Sequence, residues 1–237
     1  HPHMPPVDAA IDCSQCALFG SCPLSGVLCS RPRGPEPVKQ LMFFKPGQYM
    51  LHTGDLTDSL YVVKAGLAML GQAGPDGKDK PLALVGRGHV LGVRGLSGKP
   101  ALMWLKSQSD VALCRLPKAQ MSPELEATLR DILPDLYGRS VMALLAWTQL
   151  IRVANLKQRV LSALMLLAEI QGAATRVYLP RQADLAGLLN ITRESVGRIL
   201  GELERDGVLR RIGRNWVDVM QGRAEAGGAA SRLQELG

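Results

Sequence analysis

The stretch LPRQADLAGLLNITRESVGRILGELERDGVL, residues 179–209, has the clearest helical pattern of the chain and predicts the fold of its C-terminal part. Within it, residues 181–189 carry leucines at helical spacing, and a tight turn follows at Asn190. Thr192 is of a type that caps the start of a helix, and Gly207 is of a type that ends one. The pattern therefore predicts two helices joined by a tight turn.

A hairpin is predicted after the second helix. Residues 208–212 and 216–219 are of strand type, and they flank the turn sequence Gly-Arg-Asn at 213–215. A helix-turn-helix followed by such a hairpin is a winged helix-turn-helix, which we assign to residues 156–220. The remaining tail, residues 221–237, is expected to be poorly ordered.

The second helix has an apolar face and a charged face. The apolar residues repeat at i, i+3, i+4 and i+7 from Val196, so Arg193, Glu194, Gly197 and Arg198 fall on the opposite side. Arginine pairs with guanine and glutamate accepts from cytosine, so this face suits a DNA major groove, with the glycine permitting close approach to the duplex. The alternative is a solvated face with an i, i+4 pair between Glu194 and Arg198.

The N-terminal half has a different pattern. Residues 39–117 consist of short strand-type runs, such as 60–63 and 82–85, separated by glycine-containing turns at intervals of about ten residues. This predicts a small antiparallel barrel or roll, assigned to residues 39–122, with a plain sandwich as the alternative. Together with the helical segments it makes the chain an α+β protein.

Residues 123–171 show the helical period. Their apolar residues cover more than one face, and a helix that is apolar on two sides has two partners. One partner is predicted to be the same helix in a second copy of the chain, with burial in a single core as the alternative. We assign this dimerisation helix to residues 123–155. Its expected interface residues are Leu136, Ser140, Leu144, Trp147 and Ile151.

The cysteines are unevenly placed. Four of the five precede residue 30, in a Cys-, Pro- and Gly-rich segment over residues 1–38 that has no sustained period, and we expect a loop organised by something other than a core. The spacing Cys13-x2-Cys16-x5-Cys22 favours metal binding over disulfides. An iron–sulfur cluster and a zinc site each take four thiolates, and unliganded thiols are the third possibility.

Composition narrows the function class. The net charge of +7 favours an anionic partner. No uncharged apolar run reaches the roughly 18 residues of a membrane span, and a cytoplasmic protein without membrane contact is expected. No dinucleotide fingerprint opens a helix and no Ser/His/Asp arrangement is recognisable, so we expect no enzyme. An iron–sulfur redox protein that does not act on DNA is the alternative from another class.

The order of these segments resembles the Crp/Fnr family of bacterial transcription regulators over nearly all of residues 13–220. The likeness is carried by YVVKAGLAML (61–70), CRLP (114–117), the stretch quoted first and the wing. It implies a roll like that of cyclic-nucleotide-binding domains, a long dimer helix and a winged helix-turn-helix. It further implies a homodimer on a palindromic DNA operator, with RNA polymerase as a partner.

RESVGR (193–198) is similar to the recognition motif of the cyclic-AMP receptor branch, which implies that it reads a TGTGA-like half-site, with a TTGAT-like site as the alternative. The residues expected to contact DNA are Arg181, Thr192, Arg193, Glu194, Ser195, Gly197, Arg198, Arg210, Arg211 and Arg214.

The cysteine pattern, with one cysteine shortly before the Leu-Pro that ends the roll, is similar to the oxygen-sensing Fnr branch. The likeness implies that an oxygen-sensitive [4Fe–4S] cluster is held by Cys13, Cys16, Cys22 and Cys114, with Cys29 as an alternative ligand, and that the cluster controls dimerisation.

Two departures from the family's pattern matter. Oxygen-responsive relatives commonly carry an acidic residue in the dimer seam, and Ala146 stands at that place, so we expect a dimer less dependent on the cluster. The loop over residues 88–100 has no acidic residue for a ribose and no Arg-Ser pair for a cyclic phosphate, so no cyclic nucleotide is expected. Nitric oxide, haem and thiol redox are the alternative signals.

Overall fold

The structure is a computed structural model that describes residues 13–29, 39–173 and 175–220. The predicted loop before Cys13, its continuation over residues 30–38 and the predicted tail over 221–237 lie outside the described residues, as does the side chain of Cys29.

Two four-stranded antiparallel sheets form the N-terminal roll, as predicted. The strands are β1 (Gln40–Phe44), β2 (Tyr49–Leu51), β3 (Ser59–Ala65), β4 (Ala68–Ala73), β5 (Asp79–Val85), β6 (Val90–Leu91), β7 (Trp104–Ser107) and β8 (Val111–Pro117). One sheet has the order β1-β8-β3-β6 and the other the order β2-β7-β4-β5. Their inner faces bury Met42, Val63, Leu84 and Leu105, which form the centre of the roll's core.

The helical segment after the roll is two helices, α2 (Pro123–Ile151) and α3 (Leu156–Gln171). The chain breaks between them because the side chain of Asn155 caps α3, accepting a hydrogen bond from the backbone N–H of Gln158 at 3.0 Å. The described part of the chain contains no helix long and apolar enough to cross a membrane.

The C-terminal domain has the predicted helix-turn-helix and hairpin. Its elements are β9 (Arg176–Tyr178), α4 (Gln182–Leu189), α5 (Arg193–Arg205), β10 (Leu209–Arg211) and β11 (Trp216–Val219). Asn190 ends α4 with a left-handed φ of 51°, a conformation that asparagine tolerates better than most residues. The strand β9, which pairs with β11 to complete a three-stranded sheet, is an addition to the predicted hairpin.

A single hydrophobic core continues from the roll into the C-terminal domain, and Trp147 of α2 lies in it. The indole is 1% exposed, and its Nε1–H donates to the carbonyl oxygen of Leu84 at 2.9 Å. Leu136 is buried as well, in a second cluster. The structure thus corrects the placement of Leu136 and Trp147 at a dimer interface. Both face their own roll, since a helix that is apolar all round does not reveal from its sequence which face meets which partner.

The segment that carries the first cysteines is more ordered than predicted. It contains a 3₁₀ turn at Cys13–Gln15 and a short helix, α1 (Ser25–Cys29). Leu24 and Leu28 are buried against Leu125 and Leu129 of α2 in the second cluster. Leu24 and Leu28 therefore anchor the segment by apolar contacts. The sequence did not predict this, because two leucines are too few to form a periodic pattern.

Candidate DNA interface and cysteine site

The helix α5 presents the charged face that its sequence predicts. Its apolar residues are 0–2% exposed: Val196, Ile199, Leu200 and Leu203. Arg193, Glu194 and Arg198 are exposed on the other side. Thr192 and Ser195 form the helix cap, because the Thr192 hydroxyl oxygen accepts from the backbone N–H of Ser195 at 3.1 Å. The cap leaves the first turn of α5 facing outward.

Arg198 is paired along the helix, but not with the residue that the spacing suggests. Its Nη1 lies 2.6 Å from Oε1 of Glu202, one turn towards the C-terminus. Within the described chain, Glu194 and Arg193 make no ion pair. The first turn of α5 therefore holds one unpaired carboxylate and one unpaired guanidinium, both free to meet a base edge or a phosphate.

Gly197 makes room for a neighbouring side chain. A Cβ atom at this position would lie 3.3 Å from Oε1 of Gln182, which belongs to α4. The glycine therefore leaves space for the Gln182 side chain between α4 and α5. Its predicted role in the approach to the duplex stays a prediction.

The wing arginines differ in what they contact. Arg210 and Arg176 both pair with Asp218, at 3.0 and 3.3 Å, and the hydrogen bond from Arg210 is the main reason why the pKa of this carboxyl lies below its usual value. Arg211 pairs with Glu204 of α5 at 3.1 Å, which ties the wing to the recognition helix. Arg214 makes no ion pair among the described residues, so its charge is the most available of the wing.

A concave surface joins α4, the start of α5 and the wing. The cleft has a volume of about 630 Å³ and is lined by Arg181, Arg193, Arg211 and Arg214. Of these, Arg181 also pairs with Asp184 at 2.8 Å. Four arginines from separate elements around one cleft are suited to the phosphates of a nucleic-acid backbone, which position a protein without specifying sequence. Each of these arginines was predicted from the sequence to contact DNA, and the fold places all four around one cleft.

The four cysteines singled out in the sequence line one cavity. Cys13, Cys16 and Cys22 meet Cys114 of β8 there, and all four are free thiols. The cavity is small and otherwise largely apolar. Burial raises the pKa of Cys114 to about 11, and the neighbouring Cys13 adds to the effect. The pKa of Cys22 is raised for the same main reason.

The cysteine cavity has the ligand atoms that the predicted cluster needs, but these atoms are not yet arranged to bind it. Four thiols in an apolar pocket are the donor set that an iron–sulfur cluster takes. However, the described part of the chain contains no group of three or more His, Cys, Asp or Glu side chains already arranged to hold a metal ion. The donor chemistry therefore fits, whereas the sulfur atoms would have to draw together to bind.

The loop over residues 88–100, from which no nucleotide binding is expected, borders an apolar cavity of about 270 Å³ between the roll and α2. Among the described residues no acidic side chain lines it, and its arginine, Arg94, donates from Nε to the carbonyl oxygen of Pro100 at 2.9 Å. The described part of the chain therefore offers no carboxylate to ribose hydroxyls in this cavity, and the guanidinium of Arg94 already has a partner.

The exposed apolar stripe of α2 is shifted by one residue along the sequence from the predicted interface residues. Tyr137, Val141 and Leu145, spaced by four residues, are exposed, together with Met142 and Ile151. Of the other predicted interface residues, Ser140, Leu144 and Ala146 are half-buried. The i, i+4 spacing of the tyrosine, valine and leucine was the sequence signal for this face.

Comparison with known proteins identifies the family. Residues 41–127 match the cyclic nucleotide-binding domain, and residues 158–222 match the Crp-like helix-turn-helix domain. Transcriptional regulator SdrP of Thermus thermophilus is 32% identical over 181 residues, which cover 73% of this chain and 86% of that protein. The chain belongs to the Crp/Fnr family of transcriptional regulators.

Further similarities support the assignment of this chain to the Crp/Fnr family. The nitrogen fixation regulation protein FixK of Bradyrhizobium diazoefficiens is 27% identical over 208 residues, covering 84% of this chain and 86% of that protein. The structure of FixK2 from Bradyrhizobium japonicum shares the fold, with a TM-score of 0.67 at 18% identity over 81% of this chain and 96% of that one. Crp-family regulators bind DNA and act as dimers, and the helix-turn-helix is the element that contacts the DNA.

Proposed function

We propose that this Crp/Fnr regulator binds a palindromic operator as a dimer and that a [4Fe–4S] cluster controls the binding in response to oxygen. Cys13, Cys16, Cys22 and Cys114 are the proposed ligands. RNA polymerase is the proposed partner at the promoter. The proposal deepens the family assignment, which establishes DNA binding but names no signal.

The observation that carries the proposal is the shared cavity of the four thiols. Three of them belong to the N-terminal segment and the fourth to β8, far along the sequence, yet they line one pocket. When bound, a cluster would supply an oxygen-sensitive link between the segment and the roll. The raised pKa of Cys114 means that its thiolate forms only with a metal or at high pH, so ligation is coupled to proton release.

The position of the segment is coupled to the dimer helix. Leu24 and Leu28, which follow the third cysteine along the chain, are buried against Leu125 and Leu129 at the start of α2. A change in the segment therefore reaches the helix that carries the exposed apolar stripe. A ligand shifts such an equilibrium only by its difference in affinity for the two states, and this contact is where the difference would arise.

The recognition helix supports direct reading of bases. Arg193 and Glu194 are exposed and make no ion pair within the described chain. They lie about one turn of helix before Arg198, so all three side chains can face the same groove. Guanine and cytosine are the bases that arginine and glutamate read best, so we propose a G·C-containing, TGTGA-like half-site.

Anaerobic purification of the full chain, with iron and sulfide analysis, tests the cluster. We expect about four iron and four sulfide atoms per chain, and DNA binding that weakens after exposure to air. Cys114→Ser should abolish the visible absorbance of the cluster, whereas Cys29→Ser should keep it. Zinc in place of iron, or a cluster that survives Cys114→Ser and is lost with Cys29→Ser, would contradict the proposed site.

A further inference from the structure

The two arginines of the recognition helix stand in different surroundings. Arg193, in the first turn, makes no ion pair among the described residues, whereas Arg198 is held at 2.6 Å by Glu202. The carboxylate is the more buried partner, with 28% of its side chain exposed against 60% for the arginine. Glu202 therefore has less freedom to move than Arg198, and its carboxylate restrains the guanidinium through Nη1.

The pair is not needed to hold the helix. Exposed i, i+4 ion pairs are among the weakest contributions to stability, and glutamate placed C-terminal to its cation is the less favourable order. The helix is secured elsewhere, by the Thr192 cap at its start and by the ion pair of Lys157 with Asp206 at 2.5 Å just past its end. A structural role therefore does not account for the Arg198–Glu202 contact.

The geometry leaves the base-reading edge of the arginine open. Glu202 accepts from Nη1, and Nη2 and Nε of Arg198 have no hydrogen-bond partner among the described residues, so they are available as a pair of parallel donors. Such a pair is what bidentate recognition of guanine O6 and N7 requires. An arginine whose side chain is already restrained also loses less conformational freedom on binding than an unrestrained one.

We propose that Glu202 is a positioning residue for operator recognition, which holds Arg198 in the orientation that reads a guanine. Its negative charge also opposes the phosphates of any duplex, so it lowers general DNA affinity while it raises discrimination. The inference rests on the proposed reading of the operator by α5 in the cluster-bound state, so its test is carried out without oxygen.

The test is a selection of bound duplexes from a library with a randomised 22-base-pair centre, carried out anaerobically with the full chain and with Glu202→Ala. We expect wild type to enrich a palindrome. With Glu202→Ala, preference for guanine should fall by about fivefold or more at one symmetric position of each half-site, while the other positions keep theirs. Binding to a duplex without the palindrome should tighten by about twofold, because one repelling charge is gone.

Two further variants separate orientation from charge. Glu202→Gln keeps an oxygen that accepts from Arg198, so it should retain most of the guanine preference while showing the same tighter general binding. Glu204→Gln removes the same charge from the same helix, from the carboxylate that pairs with Arg211. The amide that replaces the carboxylate can still accept from Arg211, so the tie between the wing and α5 is kept. The variant should therefore raise general binding without changing the preference at the Arg198 position.

The outcomes are distinct. An unchanged guanine preference in Glu202→Ala would overturn the positioning role while leaving operator recognition intact. An equal loss of preference at every position, with less helix by circular dichroism, would show that the residue is structural and would also overturn it. A wild-type chain that enriches no palindrome would contradict operator recognition itself, and the inference with it.

Discussion

Arg87 donates a hydrogen bond from its Nη2 to the carbonyl oxygen of Ala17 at 2.7 Å. Ala17 lies between the second and third cysteines of the N-terminal segment, and Arg87 lies just past the end of β5. The backbone N–H of Arg87 also donates to the carbonyl oxygen of Ile170, in the last turn of α3, at 2.9 Å. A Cβ atom at Gly86 would come within 2.4 Å of that carbonyl, so only glycine fits beside it. One residue thus joins the cysteine segment, the roll and the C-terminal domain.

Replacing Arg87 by alanine should loosen the cysteine segment without freeing α3. The side-chain bond to Ala17 is lost, whereas the backbone bond to Ile170 is kept. A hydrogen bond of this kind is worth about 1 kcal/mol, so we expect amide exchange in residues 18–22 to become about fivefold faster. Hydrogen exchange followed by mass spectrometry measures this directly.

Arg94→Ala is the matched control, because Arg94 also donates from its side chain to a backbone carbonyl, that of Pro100. It should leave exchange in the cysteine segment unchanged. Equal protection of residues 18–22 in wild type and Arg87→Ala would show that the leucine anchors alone hold the segment.

The helix-turn-helix could be predicted closely because local chemistry decides its ends. Thr192 caps α5 and Gly207 follows its last residues, and both act through the backbone within a few residues. The faces of α2 were less predictable, since its apolar residues surround the axis and only tertiary packing assigns Trp147 to the roll and Val141 to the outside. The pairing of Arg198 with Glu202 rather than Glu194 depends on rotamers, which spacing alone does not specify.

The exposed stripe of α2, and not its buried face, should control dimerisation. Val141 is 52% exposed, whereas Trp147 is 1% exposed within its own chain. Val141→Glu places a charge in the apolar stripe of both copies, and we expect the dimer to dissociate about 100-fold more readily. Sedimentation velocity over a concentration series measures the change.

Trp147→Phe serves as the contrasting variant. It removes the indole N–H that bonds to Leu84, so the free energy of unfolding should fall by about 1–3 kcal/mol, as denaturant titration would show. Its dimerisation constant should stay close to that of wild type. Dissociation by Trp147→Phe but not by Val141→Glu would restore the interface that the sequence pattern first suggested.

His89 should make the protein sensitive to mild acid. It lines both the 270 Å³ cavity between the roll and α2 and a second cavity of about 490 Å³. Burial lowers its pKa from 6.5 to about 4. Between these values the unfolded chain binds a proton that the folded chain does not, so stability is complete above pH 6.5 and decreases as the pH falls towards 4. The slope contributed by this group reaches about 1.4 kcal/mol per pH unit.

His89→Gln removes this titration, so the difference in unfolding free energy between wild type and variant should change between pH 7 and pH 5. Denaturant titrations at several pH values give that difference. His52→Gln, at an exposed histidine beside Asp55, controls for the loss of a histidine as such. Parallel stability curves for wild type and His89→Gln across this range would contradict the assignment.

The two glycines inside α5 should respond differently to alanine. A Cβ atom at Gly201 meets nothing within 4 Å, so Gly201→Ala should stabilise the domain by about 1 kcal/mol through helix propensity alone. At Gly197 the new methyl group presses on Gln182 at 3.3 Å, and the flexible glutamine must move aside, so the gain should be smaller. Thermal unfolding of the two variants provides the comparison. If Gly197 also allows close approach to the duplex, Gly197→Ala should weaken operator binding while Gly201→Ala leaves it unchanged, and equal affinities would restrict the role of Gly197 to the packing of α4 on α5.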